Sequence, residues 1–201
     1  MNADGSHRHR VSDRNHLGGA LSYDDPAWSP DGKRIAFDQN GHCFSAFCPE
    51  SRIYVVNADG RKQHPLTAES SQSIAPAWSP DGRRLLYVDK ATFEIYVINR
   101  DGGDPHRLAE NVYTIRPAWS PDGRKIAFAG GTRVREHIYV MNVDGSNPHP
   151  LTHVPAADFS PAWSPDGKRI AFVRSHDHRG DDDQIFVMKA NGSDQHALTR
   201  G

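Results

Sequence analysis

The heptapeptide Pro-Ala-Trp-Ser-Pro-Asp-Gly occurs four times in this chain, beginning at residues 26, 76, 117 and 161. Four verbatim copies mark one supersecondary unit repeated along the sequence, because an isolated surface turn has no reason to recur letter for letter. The successive starts lie 50, 41 and 44 residues apart. That period suits a four-stranded propeller blade, and each unit reads as short strands divided by turn signals, with no helical face.

Within a unit the first strand ends at Ala-Trp, and Ser-Pro-Asp-Gly reverses the chain: Pro presets φ, Asp tolerates the second central position and Gly takes the left-handed residue. The second strand follows at once, as Lys33–Phe37, Arg83–Val88, Arg124–Phe128 and Lys168–Val173, each charged at its start and then β-prone. A connection of variable length leads to a third strand, read in IYVVNADG at 53–60, IYVINRDG at 95–102, IYVMNVDG at 138–145 and IFVMKANG at 185–192. Asp-Gly or Asn-Gly closes it as a hairpin. A fourth, polar strand ends at Leu66-Thr67, Leu108-Ala109, Leu151-Thr152 and Leu198-Thr199, as an outer edge requires.

The combination of PAWSPDGKRIAF, IYVMNVDGS and a closing Leu-Thr resembles the β-propeller repeat of TolB-type periplasmic proteins, relatives in architecture of WD and kelch propellers, across essentially the whole chain. The expected fold is all-β: a propeller with blades at 26–67, 76–109, 117–152 and 161–199. Residues 1–12 align with the end of a unit and predict an orphan outer strand. Five outer strands then compete for four blades. Either one is displaced from a closed four-bladed ring, or the propeller is incomplete or self-associating, with two chains forming a ring of eight blades; the second arrangement is the favoured expectation. Trp28, Trp78, Trp119 and Trp163 are expected to fill the space between neighbouring sheets.

The chain has 201 residues and 36% hydrophobic content, enough for a packed core. Lys and Arg total 24 against 25 acidic residues, a net charge of −1, so nothing global favours nucleic acid as a partner. No apolar run approaches the roughly 18 to 20 residues of a membrane helix, and the first residues lack the apolar core of a signal peptide. Membrane insertion is not expected; the resemblance implies a periplasmic or extracytoplasmic setting. Cys43 and Cys48 are spaced for a loop disulfide, with free thiols the alternative and a metal site the weakest reading.

Variation is confined to the face carrying the fourth-to-first and second-to-third connections. The connections into the inner strands converge on the axis and supply Tyr23, Asp24, Asp25, Tyr113, Arg116, Asp158 and Phe159, a mixed aromatic and charged set suited to docking a protein or peptide. The bland reading of their apolar companions, Ile74, Ile115 and Phe159, is inter-blade packing. The loop at 174–184 holds His176, Asp177, His178, Asp181, Asp182 and Asp183, which give it a weak claim to a divalent cation and a stronger one to being a solvated loop.

Catalytic motifs are absent: there is no Gly-x-Ser-x-Gly elbow, phosphate loop or His-Glu-x-x-His. Ser29, Ser79, Ser120 and Ser164 are expected to be surface serines of the repeated turn with no paired base. His64, His106, His149 and His196 recur at the fourth strand and read as repeat inheritance. The expectation is a non-catalytic, cofactor-free scaffold binding a protein or peptide at the funnel face. The alternatives are the propeller portion of a larger hydrolase, as in prolyl-oligopeptidase-like peptidases, and a metal-dependent lyase-type propeller in which His153 and His176 would converge.

Overall fold

The computed structural model describes residues 21–41, 51–109, 114, 116–132, 135–175 and 183–199. Among these residues sixteen strands form four antiparallel sheets, each a meander of four consecutive strands. The first blade runs β1 (Leu21–Trp28), β2 (Arg34–Gly41), β3 (Ser51–Asn57) and β4 (His64–Pro65). The second runs β5 (Ser73–Trp78), β6 (Arg84–Asp89), β7 (Glu94–Asn99) and β8 (His106–Ala109). The third runs β9 (Ala118–Trp119), β10 (Lys125–Thr132), β11 (Arg135–Asn142) and β12 (His149–Pro150). The fourth runs β13 (Ala157–Trp163), β14 (Arg169–Ser175), β15 (Gln184–Lys189) and β16 (His196–Ala197). The orphan strand predicted at 1–12 lies outside the described residues.

The repeated turn carries more than its glycine. Gly32, Gly82, Gly123 and Gly167 sit at φ between 66° and 70°, the left-handed region that an L side chain resists. Each turn serine donates to the Asp two residues on at 2.6 Å. Its Oγ also accepts the N–H five residues on, as from Lys125 to Ser120 at 2.9 Å. Ser29, Ser79 and Ser120 are buried, not on the surface as the sequence suggested, because the turn of the next blade covers them; Ser164, with the same two bonds on the fourth blade, is only partly buried.

Three junctions between adjacent blades among the described residues are each built around a tryptophan. Trp78 packs on Ala36, Ile53, Val55 and Leu66 of the blade before it. Trp119 packs on Leu86, Ile95 and Val97, and Trp163 on Ala127, Ile138, Val140 and Leu151. The guanidinium of Arg34 lies 5.9 Å from the Trp78 ring centre and that of Arg84 5.3 Å from Trp119. The indole N–H groups of Trp119 and Trp163 donate to the carbonyls of Ala77 and Ala118 at 3.1 and 3.2 Å. Trp28 departs from this plan: it is 60% exposed, because no blade precedes it among the described residues.

Candidate functional site

The inner strands bring the funnel residues together at a shared irregularity. Register skips between Asp24 and Ala27 in β1, between Ile74 and Ala77 in β5 and between Phe159 and Ala162 in β13. At each skip the residue before proline has positive φ: Asp25 at 45°, Ala75 at 53° and Ser160 at 54°. The proline cannot donate to the ladder, so the strand bulges there and turns backbone and side chains out of the regular pleat. Non-glycine residues held in this region store strain that packing must offset, a feature that gathers at binding sites.

The bulges of the first two blades and the entry to the third line a cleft of about 210 Å³, bounded by Asp25, Pro26, Ala75, Pro76 and Arg116. Arg116 Nη2 donates to Asp25 Oδ1 at 3.0 Å, an exposed pair joining residues 91 apart in sequence. Asp24 is exposed and accepts from Asn40 Nδ2 at 3.2 Å; the same amide donates to Asp38 Oδ2 at 2.7 Å. Ser51 donates its hydroxyl to Asn40 Oδ1, which fixes the amide's orientation. Tyr23 is half-buried and meets Phe37 edge to face, ring centres 5.8 Å apart.

Asp38 was not singled out in the sequence, yet it is the buried carboxylate of this site, 1% exposed. Its Oδ1 accepts the Ala75 N–H at 3.4 Å. Burial pushes its pKa up, and the neighbouring charges of Asp25 and Asp24 push the same way, against the hydrogen bonds from Asn40 and Ala75. The available signal was an exception within the repeat: Val88, Ala129 and Val173 hold the equivalent place in β6, β10 and β14.

The other predicted funnel residues fare differently. Asp158 is fully buried, and its carboxylate is occupied by Arg174, whose Nε and Nη2 donate at 2.7 and 3.0 Å. The guanidinium also lies 4.4 Å from the Phe186 ring centre and donates to Gln195 at 3.1 Å. Asp158 is therefore not available to a ligand; a buried carboxylate demands a paired cation, and β14 supplies it. Phe159 is half-buried beside it, and Tyr113 and Ile115 lie outside the described residues.

Of the 174–184 loop, residues 176–182 lie outside the described residues, as do Cys43 and Cys48. No cluster of three metal-ligating side chains occurs among the described residues. His153 is exposed. The ring Nδ1 atoms of His64, His106, His149 and His196 each meet the carbonyl two residues earlier, at 2.9 to 3.0 Å, which makes them parts of the β3–β4-type turn.

The family model of the TolB beta propeller domain matches residues 49–201, which hold the last three of the four blades and the third and fourth strands of the first. The chain belongs to the TolB beta-propeller domain family. No curated protein matches it. Among solved structures it is similar to a protein described as TolB from Agrobacterium tumefaciens, with 24% identity and a TM-score of 0.70, over 89% of this chain and 80% of that one. TolB from Acinetobacter baumannii gives 24% and 0.71, over 90% of this chain and 44% of its own length. Puromycin hydrolase gives 17% and 0.71, over 95% of this TolB-family chain and only 32% of the hydrolase. At these identities the likeness is one of fold.

Proposed function

We propose that the chain is a non-catalytic scaffold that binds a protein or peptide at the funnel face, with the acidic mouth formed by Asp24 and Asp25, backed by the buried Asp38, receiving a cationic group. The observation that carries this reading is the bulged, strained inner-strand crossing at Asp25 and Ala75, beside Arg116. It holds exposed carboxylate oxygens beside a cleft of about 210 Å³ on an otherwise regular sheet stack. A lysine or arginine side chain arriving there displaces Arg116 from Asp25 and keeps the charge paired. The repeated serines offer no competing enzymatic reading, since each bonds a turn aspartate and a backbone amide and has no base to activate it.

Calorimetric titration with an oligolysine and an oligoglutamate of equal length tests this. Binding of the first only, weakened by salt and by Asp24→Asn with Asp25→Asn, is the expected result. Equal binding of both peptides, or of neither, contradicts it.

A second reading is supported by the 95% overlap of the chain with part of puromycin hydrolase: the propeller portion of a larger hydrolase. There the same funnel would admit substrate to chemistry carried elsewhere. Hydrolase activity in a longer parent protein decides between the two readings.

A further inference from the structure

The two ends of the blade array are complementary. Among the described residues the exposed large hydrophobics are Trp28, at 60%, on the first blade, and Ile185 and Leu198, at 45% and 60%, on the fourth. Each is the counterpart of residues that pack at the internal junctions, where Trp163 and Leu108 are partly buried and the others buried. Trp28 corresponds to Trp78, Trp119 and Trp163; Ile185 corresponds to Ile53, Ile95 and Ile138; Leu198 corresponds to Leu66 and Leu151.

The open side of the fourth blade also carries a cleft of about 440 Å³, lined by Ala162, Pro165, Arg169, Ala171 and Val187. Every one of these has a working equivalent inside the molecule. Ala77 and Ala118 accept the indole N–H of the next blade's tryptophan, and Ala162 stands in their place. Arg34 and Arg84 stack on that tryptophan, and Arg169 stands in theirs. Ala36 with Val55, and Ala127 with Val140, line the internal sockets; Ala171 with Val187 repeats them.

The turn glycines complete the match. A Cβ built on Gly82, Gly123 or Gly167 would lie 3.7, 3.9 or 3.7 Å from the proline Cδ of the preceding blade's turn, whereas one on Gly32 meets nothing within 4 Å. Pro165 is the free proline at the other end.

We propose that a second copy of this chain places its Trp28 in this fourth-blade socket, and that two chains do so reciprocally, closing one ring of eight blades. The contact continues an interface that the chain already forms three times, each time around a tryptophan, with the indole hydrogen bond and the arginine stack each present at two of the three. A contact between two different patches either closes into a ring or propagates. Eight blades lie within the usual range of about four to eight for a closed propeller.

The experiment is the absolute mass of the full chain by light scattering and sedimentation, from nanomolar to high micromolar concentration. It is run for the natural chain, for Trp28→Glu and for Leu198→Glu, with circular dichroism to establish that each variant is folded. Both altered side chains are exposed in the single chain, so folding is expected to survive. The expected result is a two-chain particle for the natural sequence and at least a hundredfold weaker association for either variant alone. Mixing the two variants restores one sound junction and with it a two-chain species. A natural chain that stays single throughout, a dimer indifferent to Trp28→Glu, a mixture that fails to pair, or growth beyond two chains overturns the proposal.

Discussion

The indole N–H of Trp119 donates to the carbonyl of Ala77 at 3.1 Å, a bond from one blade to its neighbour across 42 residues of sequence. The same ring lies under Arg84 and against Leu86, Ile95 and Val97, so one side chain unites apolar burial, a cation–π contact and a hydrogen bond.

Trp119→Ala is expected to cost about 3 to 5 kcal/mol, since truncating a buried aromatic loses its transfer free energy and leaves a cavity. Trp28→Ala, at a concentration that keeps chains separate, is expected to change stability by no more than about 0.5 kcal/mol, as an exposed substitution does. Urea denaturation of both variants checks the pair; equal losses would count against the asymmetry of the first blade.

Ser120→Ala removes a hydroxyl that donates to Asp122 and accepts from the Lys125 N–H. A loss of about 1 to 2 kcal/mol is expected, because a part-buried backbone donor is left without its partner. The hydrogen bond from Ser120 is the largest influence holding the Asp122 carboxyl below its ordinary pKa, followed by the Arg124 N–H, and Asp31, Asp81 and Asp166 are held low in the same way. For such groups the unfolded chain binds more protons, so their contribution is present above about pH 4 and is lost as pH falls through the lowered values. The Ser120→Ala chain should therefore show a shallower loss of stability on acidification.

Asp38 has the opposite sign. Its raised pKa means that the folded chain holds the proton more tightly, so the stability it contributes is highest in acid and declines as pH rises from about 4 through the raised value. Asp38→Asn is expected to match the natural chain in acid and to equal or exceed it at neutral pH. Denaturant melts across that range are the check; a variant that falls progressively behind as pH rises contradicts the assignment.

Arg116→Ala breaks an exposed ion pair and is expected to change stability by less than about 1 kcal/mol. Freed of its competitor, Asp25 should then hold a cationic peptide about two- to fivefold more tightly, the equilibrium equivalent of about 0.5 to 1 kcal/mol. Weaker binding by this variant would mean that Arg116 itself contacts the ligand.

Much of the architecture was legible because it repeats. Ser-Pro-Asp-Gly and the Asn-x-Asp-Gly type of turn each dictate a chain reversal by local chemistry alone, and four copies set the period. Trp28 was not legible: its letters are those of Trp119, but burial is a property of the neighbour, and local sequence does not say whether one is present. The funnel was half legible. Asp25 and Arg116 meet at one cleft, but Asp24 and Asp25, read as part of a connection, lie inside β1, and Asp158 is claimed by Arg174, a pairing between strands that requires the register Asp158 to Arg174 across β13 and β14. Asp38 lay within a stretch read as connection, and its role depends on the amide of Ala75, 37 residues away.

The most direct test of the scaffold reading is a map of backbone amide chemical-shift changes on titration with the oligolysine peptide. The account predicts the largest changes at Asp24, Asp25, Asn40, Ala75 and Arg116, around the bulged crossing of the inner strands. Changes centred on the Ser-Pro-Asp-Gly turns of the opposite face, or spread evenly over the four blades, would contradict it.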